Sequence, residues 1–480
     1  MLKLYIKKNY IFILLSIAIF LGLILRLNGL TTQSYWFDEI FSIKISNPIH
    51  SIGYVYSHTM GDVHPPFYQS LLWLWYQIFG FNEYAGRVLS ALAGTISIYA
   101  IYALARDMFN KEVGIYSAFI TATNYFIILY SQEVRSNIFM FLFSILSYLY
   151  FIKLIKNYTK TNFSLYIIFS LLLMYTHYFG FFLVATQVFV FIYYLIIEKE
   201  KRGELSKLAF ASGLIISILL IPLIHRIIEH LGTSSYWMSA PNWSFFIDYM
   251  KAYVLSPFLH KIFLVLLIIS IASIFIKNQY KKAIITLIIW VIFAYLLPYI
   301  KSITGFSILI ERSTIIVIPP LIILISYGIF LFRPYILKII LISSIIFFAL
   351  YHLYRMEYYT KVSKDDFRGL ITYLDDLKSE IPIYDFIMHN LHNNKYESHF
   401  FQVYANMLNK DVKIYPARVL KESKSIPKYF WAIHGHKNFL LNAKILHIEG
   451  MHQMKVIDKY HTQAILYYYN PNNSLKDKDE

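Results

Sequence analysis

The sequence predicts an α-helical polytopic membrane protein, with about 11 transmembrane helices and a small C-terminal α/β domain outside the membrane. Three observations carry that reading. Of 480 residues, 58% are hydrophobic and only 15% charged, where a soluble domain carries about 25% charge. Apolar runs recur along the first 356 residues at the length a membrane helix needs, about 20 residues and no fewer than about 17. From Glu357 onward the runs stop, and short helical and strand patterns alternate.

The apolar segments read at roughly 10–27, 84–105, 113–130, 137–152, 163–180, 181–197, 208–224, 259–276, 283–300, 308–331 and 335–354. No small-residue cleavage site follows Leu27, so the first reads as a retained helix rather than a signal peptide. The absence of cysteine excludes a disulfide scaffold and a thiolate metal site. The net charge is +16, but from Glu357 to the end 17 Lys/Arg face 15 Asp/Glu, so the excess lies among the apolar segments. Such an excess reads as cytoplasmic loops. No basic stripe of the kind that binds nucleic acid is present.

Lys/Arg counts set the expected orientation. With a cytoplasmic N-terminus, inner connections collect 17 basic residues and outer ones 10, and the inner loops are shorter. Eleven spans then leave the tail outside. Two domains follow: a transmembrane domain, 1–356, with a long first outer loop at 28–83, and an extracytoplasmic α/β domain, 357–480. A second outer loop covers 225–258. Both loops are rich in Trp, Tyr and Phe. Residues Pro65 to Phe79 read as an amphipathic helix at the membrane interface, anchored by Trp73, Trp75 and Tyr76. In the tail, helices are expected at Lys364–Leu377 and near Glu397–Leu408. Strands are expected at Ile381–Ile387, Asp411–Tyr415, Tyr429–Ile433, Ala443–Ile448 and Ala464–Tyr468.

The residues with chemical potential gather on the outer side. Tyr35-Trp36-Phe37-Asp38-Glu39 sets two carboxylates after three aromatics just beyond a span. A carboxylate among aromatic and membrane surface loses solvation and can take a proton from a hydroxyl or amine; the plain alternative is an acidic pair at a helix start. In Asp62-Val63-His64-Pro65-Pro66 the prolines suit a helix N-terminus, where free N–H groups favour an anion; a capped interfacial helix explains the same residues. Arg87, Glu133 and Arg135 within Gln132-Glu133-Val134-Arg135, and Arg312 after Glu311 stand at outer span ends. Singly, such charges reach for the interface; together they could hold a lipid-linked phosphate. His177 stands at the same face, where a lone histidine is more often a hydrogen-bonded core residue.

In order, spacing and common side, these motifs resemble the GT-C superfamily of integral-membrane glycosyltransferases. Within it the chain is similar to the protein O-mannosyltransferases and the bacterial lipid A aminoarabinose transferases. The shared pattern is Asp38-Glu39 in a long first outer loop, an x-Pro-Pro motif in Asp62-Val63-His64-Pro65-Pro66 opening an interfacial helix, Arg87 heading the next span, then Gln132 to Arg135, and Glu311-Arg312 before Pro319-Pro320. The resemblance implies a polyprenyl-phosphate sugar donor, an inverting reaction, a GT-C membrane fold and transfer at the outer face. It implies Asp38 as general base with Glu39 second. His64, Arg87, Arg135 and Arg312 would bind the donor phosphate, and Tyr35, Asp62, Glu133 and His177 are further pocket candidates. Aminoarabinose transferases have lysine in the place of His64. Some relatives bind zinc near this motif, but Val63 is a poor ligand, so neither a metal nor another cofactor is expected. Expected partners are the donor, a protein, lipid or glycan acceptor, and membrane lipid, but no nucleic acid. The rival reading is a transporter or flippase of a lipid-linked sugar, which would need mid-span polar residues and internal repeats. Little mid-span charge and no convincing repeat are found.

Overall fold

A computed structural model describes residues 2–61, 64–231, 238, 240–254, 256–385, 400–416, 419–420, 423, 425–435 and 451–469. The chain forms two compact units, each built from separated stretches. One comprises Met1–Asn28, Ser51–Leu72 and Arg87–Tyr358; the other comprises Gly29–His50, Trp73–Gly86 and Tyr359–Glu480.

The first unit is helical and apolar. Among the described residues, eight helices are long and apolar enough to cross a membrane. A bent pair, Lys111–Thr123 with Tyr125–Ser131, would make a ninth; its halves differ in direction by 60°. The remaining two expected segments are helical but fall short of that test. Lys160–Thr176 has 17 residues, and Arg202–Leu219 carries Arg202, Glu204 and Lys207 near its start. The helix Glu311–Phe330, whose first turns are 3-10, is 94% buried within the protein and forms the centre of its unit. Tyr335–Arg355, at 17%, shows most of its surface to the surroundings. Exposed Phe12, Phe20, Phe210, Phe347 and similar residues fit contact with lipid.

Lipid tails give apolar helices no hydrophobic reason to associate, so close packing and interhelical hydrogen bonds carry that task. Both are visible. A Cβ on Gly328 would lie 2.5 Å from the Leu266 carbonyl oxygen, so only glycine lets these two helices approach as they do. Gln187 donates to Ser147 at 2.8 Å, Ser147 and Ser170 share a bond at 2.9 Å, and Tyr166 donates to Gln187 at 3.1 Å. This polar chain joins the helices Asn137–Lys156, Lys160–Thr176 and Phe179–Ile197 in their apolar interior.

The sequence predicts one span over 113–130, and the structure bends it at Asn124. Asn124 leaves helical geometry, with ψ at 122°, and its side chain accepts from the Ile127 N–H at 3.0 Å. That side chain therefore starts a second helix, while its amide donates to the Tyr253 carbonyl.

The second unit contains the tail. Its strands are β1 (Ile383–Asp385), β2 (Ile414–Pro416), β3 (Tyr429–Gly435), β4 (Met451–Lys459) and β5 (Thr462–Tyr469), in the order β2-β1-β3-β5-β4. β1 runs parallel to β2 and β3, and β5 antiparallel to β3 and β4. The expected strand at Ala443–Ile448 lies outside the described residues. β4 was not anticipated: its exposed Gln453, Met454, Lys455 and Val456 follow no apolar alternation, and a bulge interrupts it there. Phe430, Ala432, Ile465 and Tyr467 form a core with Tyr384 and Met451. The helix Phe367–Asp376 buries Phe367, Leu370, Ile371 and Leu374, spaced as one helical face, and Asp366 caps it on the Gly369 N–H at 2.9 Å. The helix Phe400–Met407 packs against Phe367–Asp376 and against Phe37–Ile45 from the first loop.

Candidate active site

Four basic side chains of the first unit converge, each from a place where helical geometry stops. His64 precedes Pro65 and Pro66, and the helix Phe67–Phe79 follows, its first backbone bond running from Ser70 N to Pro66 O at 3.1 Å. Asp62 lies outside the described residues. Arg135 sits in the turn between the helices Tyr125–Ser131 and Asn137–Lys156. His177 is the extended residue between Lys160–Thr176 and Phe179–Ile197. Arg312 lies in the 3-10 turn Glu311–Val317.

The Arg135 guanidinium donates to His64 Nε2 at 3.4 Å. Arginine has no acceptor, so His64 takes this bond through a neutral nitrogen. The His64 and His177 rings meet edge-on, 5.2 Å between centroids. His177 Nδ1 accepts from the Phe179 N–H at 3.1 Å, which leaves its proton on Nε2. Burial first, and then the nearness of His64, Arg135 and Arg312, holds the His177 imidazole well below its ordinary pKa. It is neutral at pH 7. The charge that could meet an anion here therefore belongs to the arginines, with the histidines as neutral hydrogen-bonding groups. Arg135 and Glu133 are buried in one turn, and Arg312 is half-buried.

A network that sequence reading missed supports this turn. Arg26, near the end of the first apolar helix, is fully buried. It donates to Ser131 Oγ at 3.2 Å and to the carbonyls of Thr121 at 3.0 Å, Ala122 at 3.1 Å and Gly22 at 2.9 Å. Those of Thr121 and Ala122 are helix C-terminal carbonyls, which a guanidinium suits in geometry and charge. Gln132 donates to the carbonyls of Arg26 and Asn28 and accepts from the Tyr358 hydroxyl at 2.8 Å. An arginine ending an apolar span was the available signal. That it turns inward was not legible. Arg87, one turn into the helix Glu83–Met108, is also buried, at 1% exposure.

The paired carboxylates belong to the second unit, where their surroundings differ. They occupy the first turn of the helix Phe37–Ile45, a position favourable to negative charge. Glu39 is completely buried and accepts from the Trp36 N–H at 3.4 Å, closing the helix start. Asp38 is half-buried and keeps solvent access. Tyr35 is fully buried, and its hydroxyl donates to the Glu83 carbonyl at 3.0 Å, a framework contact. Among the described residues, no group of three or more His, Asp or Glu could hold a metal ion.

Residues 63–225 match the family model described as dolichyl-phosphate-mannose-protein mannosyltransferase. That stretch includes His64, Arg87, Arg135 and His177. The fold matches ArnT from Cupriavidus metallidurans, solved bound to undecaprenyl phosphate, with a TM-score of 0.61 at 12% identity over 96% of this chain and 98% of that one. The chain resembles the GT-C glycosyltransferases. The archaeal oligosaccharyltransferase AglB from Archaeoglobus fulgidus, solved with an inhibitory peptide and a dolichol-phosphate, matches with a TM-score of 0.55 at 12% identity, over 80% of this chain and 63% of that one. A search of curated proteins finds no match. The expected family resemblance thus agrees with a family model over residues 63–225, a stretch that holds His64 and Arg87 but not Asp38-Glu39, and with ArnT and AglB in fold.

Proposed function

We propose that this protein is a membrane glycosyltransferase that moves a sugar from a polyprenyl-phosphate carrier to an acceptor at the outer face, inverting the anomeric centre. The observation that carries the reading is the convergence of His64, Arg135, His177 and Arg312 from four helix breaks, the first three of them within the matched stretch. Arginines held among apolar spans suit a phosphate that stays tied to a lipid, because a guanidinium offers two parallel donors and is less strongly hydrated than an ammonium. In this reading Arg135 and Arg312, with Arg87, neutralise the phosphate as it departs, and His64 and His177 donate or accept around it without adding charge. Asp38 takes the proton of the acceptor nucleophile while Glu39 holds the helix that presents it. The solved complex of ArnT with undecaprenyl phosphate and that of AglB with a dolichol-phosphate support a lipid-linked donor. The N-terminus would be cytoplasmic and the tail extracytoplasmic, as the Lys/Arg asymmetry favours.

The test is transfer by the purified protein in lipid, using a panel of undecaprenyl-phosphate and dolichyl-phosphate sugars against wild type and Asp38→Asn. Turnover with one such donor, lost in Asp38→Asn, is the expected result. Failure with every carrier, combined with movement of a lipid-linked sugar across the bilayer, would replace this reading with the flippase.

A further inference from the structure

We propose that Tyr404, Arg368 and Glu83 are positioning residues for Asp38, so that the tail sets the geometry of the base. The inference rests on the reading of Asp38 as base and adds the device that orients it.

Asp38 is the second residue of the helix Phe37–Ile45, so its direction depends on how the chain enters that helix. The preceding backbone is held at successive points. The Tyr404 hydroxyl receives the Tyr35 N–H at 3.1 Å, lies 3.2 Å from Ser34 Oγ and donates to the Glu83 carboxylate. The hydroxyl proton is thus committed to Glu83, while the oxygen accepts from the Tyr35 N–H. The Arg368 backbone N–H donates to Ser34 Oγ at 2.9 Å. Its guanidinium grips the carbonyls of Thr31 at 2.7 Å and Thr32 at 3.1 Å while pairing with Glu83 at 2.7 Å. Tyr35 closes the circuit through the Glu83 carbonyl and stacks on Tyr404, 5.6 Å between centroids.

Tyr404 comes from the helix Phe400–Met407, which packs on Phe37–Ile45, and Arg368 from the helix Phe367–Asp376. Both belong to the tail, and neither is part of the sheet core around Tyr384, Phe430 and Tyr467. Tyr404 is completely buried, and burial with the nearby Glu83 charge raises its phenol well above the ordinary range. It therefore stays a neutral donor at every pH the protein would meet. A fully satisfied buried network of this kind holds one geometry, because each half-satisfied alternative leaves a polar group without a partner. A base must sit within hydrogen-bond reach of its proton, and a displacement of about 1 Å can cost about 100-fold in rate.

The test compares wild type, Tyr404→Phe and Arg368→Lys as full-length protein in lipid, first by backbone hydrogen exchange. The expected result is exchange at least 10-fold faster across residues 37–41 in both variants, with β3 and β5 unchanged. Unchanged exchange at 37–41, or equal acceleration throughout the unit, overturns the inference, whatever the reaction proves to be. With the donor identified by the panel, Tyr404→Phe is then expected to lower kcat 10- to 100-fold while binding of undecaprenyl phosphate stays within about twofold. Full kcat in Tyr404→Phe beside an inactive Asp38→Asn overturns positioning but leaves the base assignment intact. Full activity in Asp38→Asn overturns the base assignment itself. Arg368→Lys retains charge but loses the fork on Thr31 and Thr32, so it is read in the same way if Tyr404→Phe is not recovered folded.

Discussion

Asp38 and Glu39 are neighbours of the same chemical type with different surroundings, and the difference predicts different losses. Asp38→Asn keeps shape and removes the proposed proton acceptor, so turnover is expected to fall about 10²–10⁴-fold while undecaprenyl phosphate still binds. Glu39→Gln should retain catalysis and lower stability by about 1 kcal/mol, the scale of a helix cap; melting and turnover measured together distinguish the two. Arg135→Ala should weaken binding of undecaprenyl phosphate as well as turnover, and equal binding loss in Asp38→Asn would argue that Asp38 is structural. His177 adds a pH effect. Its folded pKa lies well below the ordinary histidine value, so between the two values only the unfolded chain binds the proton. Its neutral form fits at full stability above about pH 6.5, and stability is lost as pH falls through that value toward the folded pKa, by up to about 1.4 kcal/mol per pH unit. The loss of melting temperature between pH 7 and pH 5.5 should be smaller in His177→Gln than in wild type. Equal losses would count against it.

At the scale of elements, the breaks between helices matter more than the helices. Residues 125–136 carry a short helix and the turn bearing Arg135, and Arg26 fastens this segment to the end of the helix before it. A Cβ on Gly94 would lie 2.0 Å from Ser131 Oγ and 2.9 Å from Arg26 Nε, so Gly94→Ala must displace one or both. Overpacking of this kind costs about 1–3 kcal/mol, and the variant should melt earlier and bind undecaprenyl phosphate less tightly. Unchanged binding with lowered melting would show that Arg26 supports the bundle but not the turn. The break at Asn124 was hidden from a hydropathy reading because a single capping amide inside an apolar run barely changes its average. The bond to Ile127 N makes it a helix start, and that bond is a matter of backbone geometry.

For the whole molecule, the prediction concerns the donor. A nucleotide sugar approaches from water, commonly with a divalent ion on its diphosphate, whereas a polyprenyl chain stays in the bilayer because each buried CH₂ is worth about 0.8 kcal/mol. Activity should therefore persist in chelator and be absent with water-soluble nucleotide sugars. Loss on chelation restored by one divalent metal, or full turnover with a nucleotide sugar, would overturn the arginine clamp. The tail is expected to be required in place, because it holds the first-loop segment ending at Asp38 through Tyr404 and Arg368.

The sequence by itself determined the class of the molecule and named the candidates for its site. Length and apolarity of a run decide whether it can span a bilayer, and both are local properties, so nearly every apolar helix was legible along with the helix after Pro66 and the alternation of helix and strand in the tail. The motifs at 38–39, 64–66, 87, 132–135 and 311–312 were legible as well, since unusual residue types at span ends need no coordinates to be noticed. Only the tertiary structure decided which side chains meet. His64 against Arg135 is a pairing 71 residues apart in sequence, and Tyr404 against Glu83 one of 321. It also decided that Glu39 closes a helix while Asp38 keeps solvent access, and that Arg26 turns inward to helix carbonyls. These are differences of direction and partner. Direction and partner are fixed by packing across the chain, and a residue carries no mark of them in its own letter.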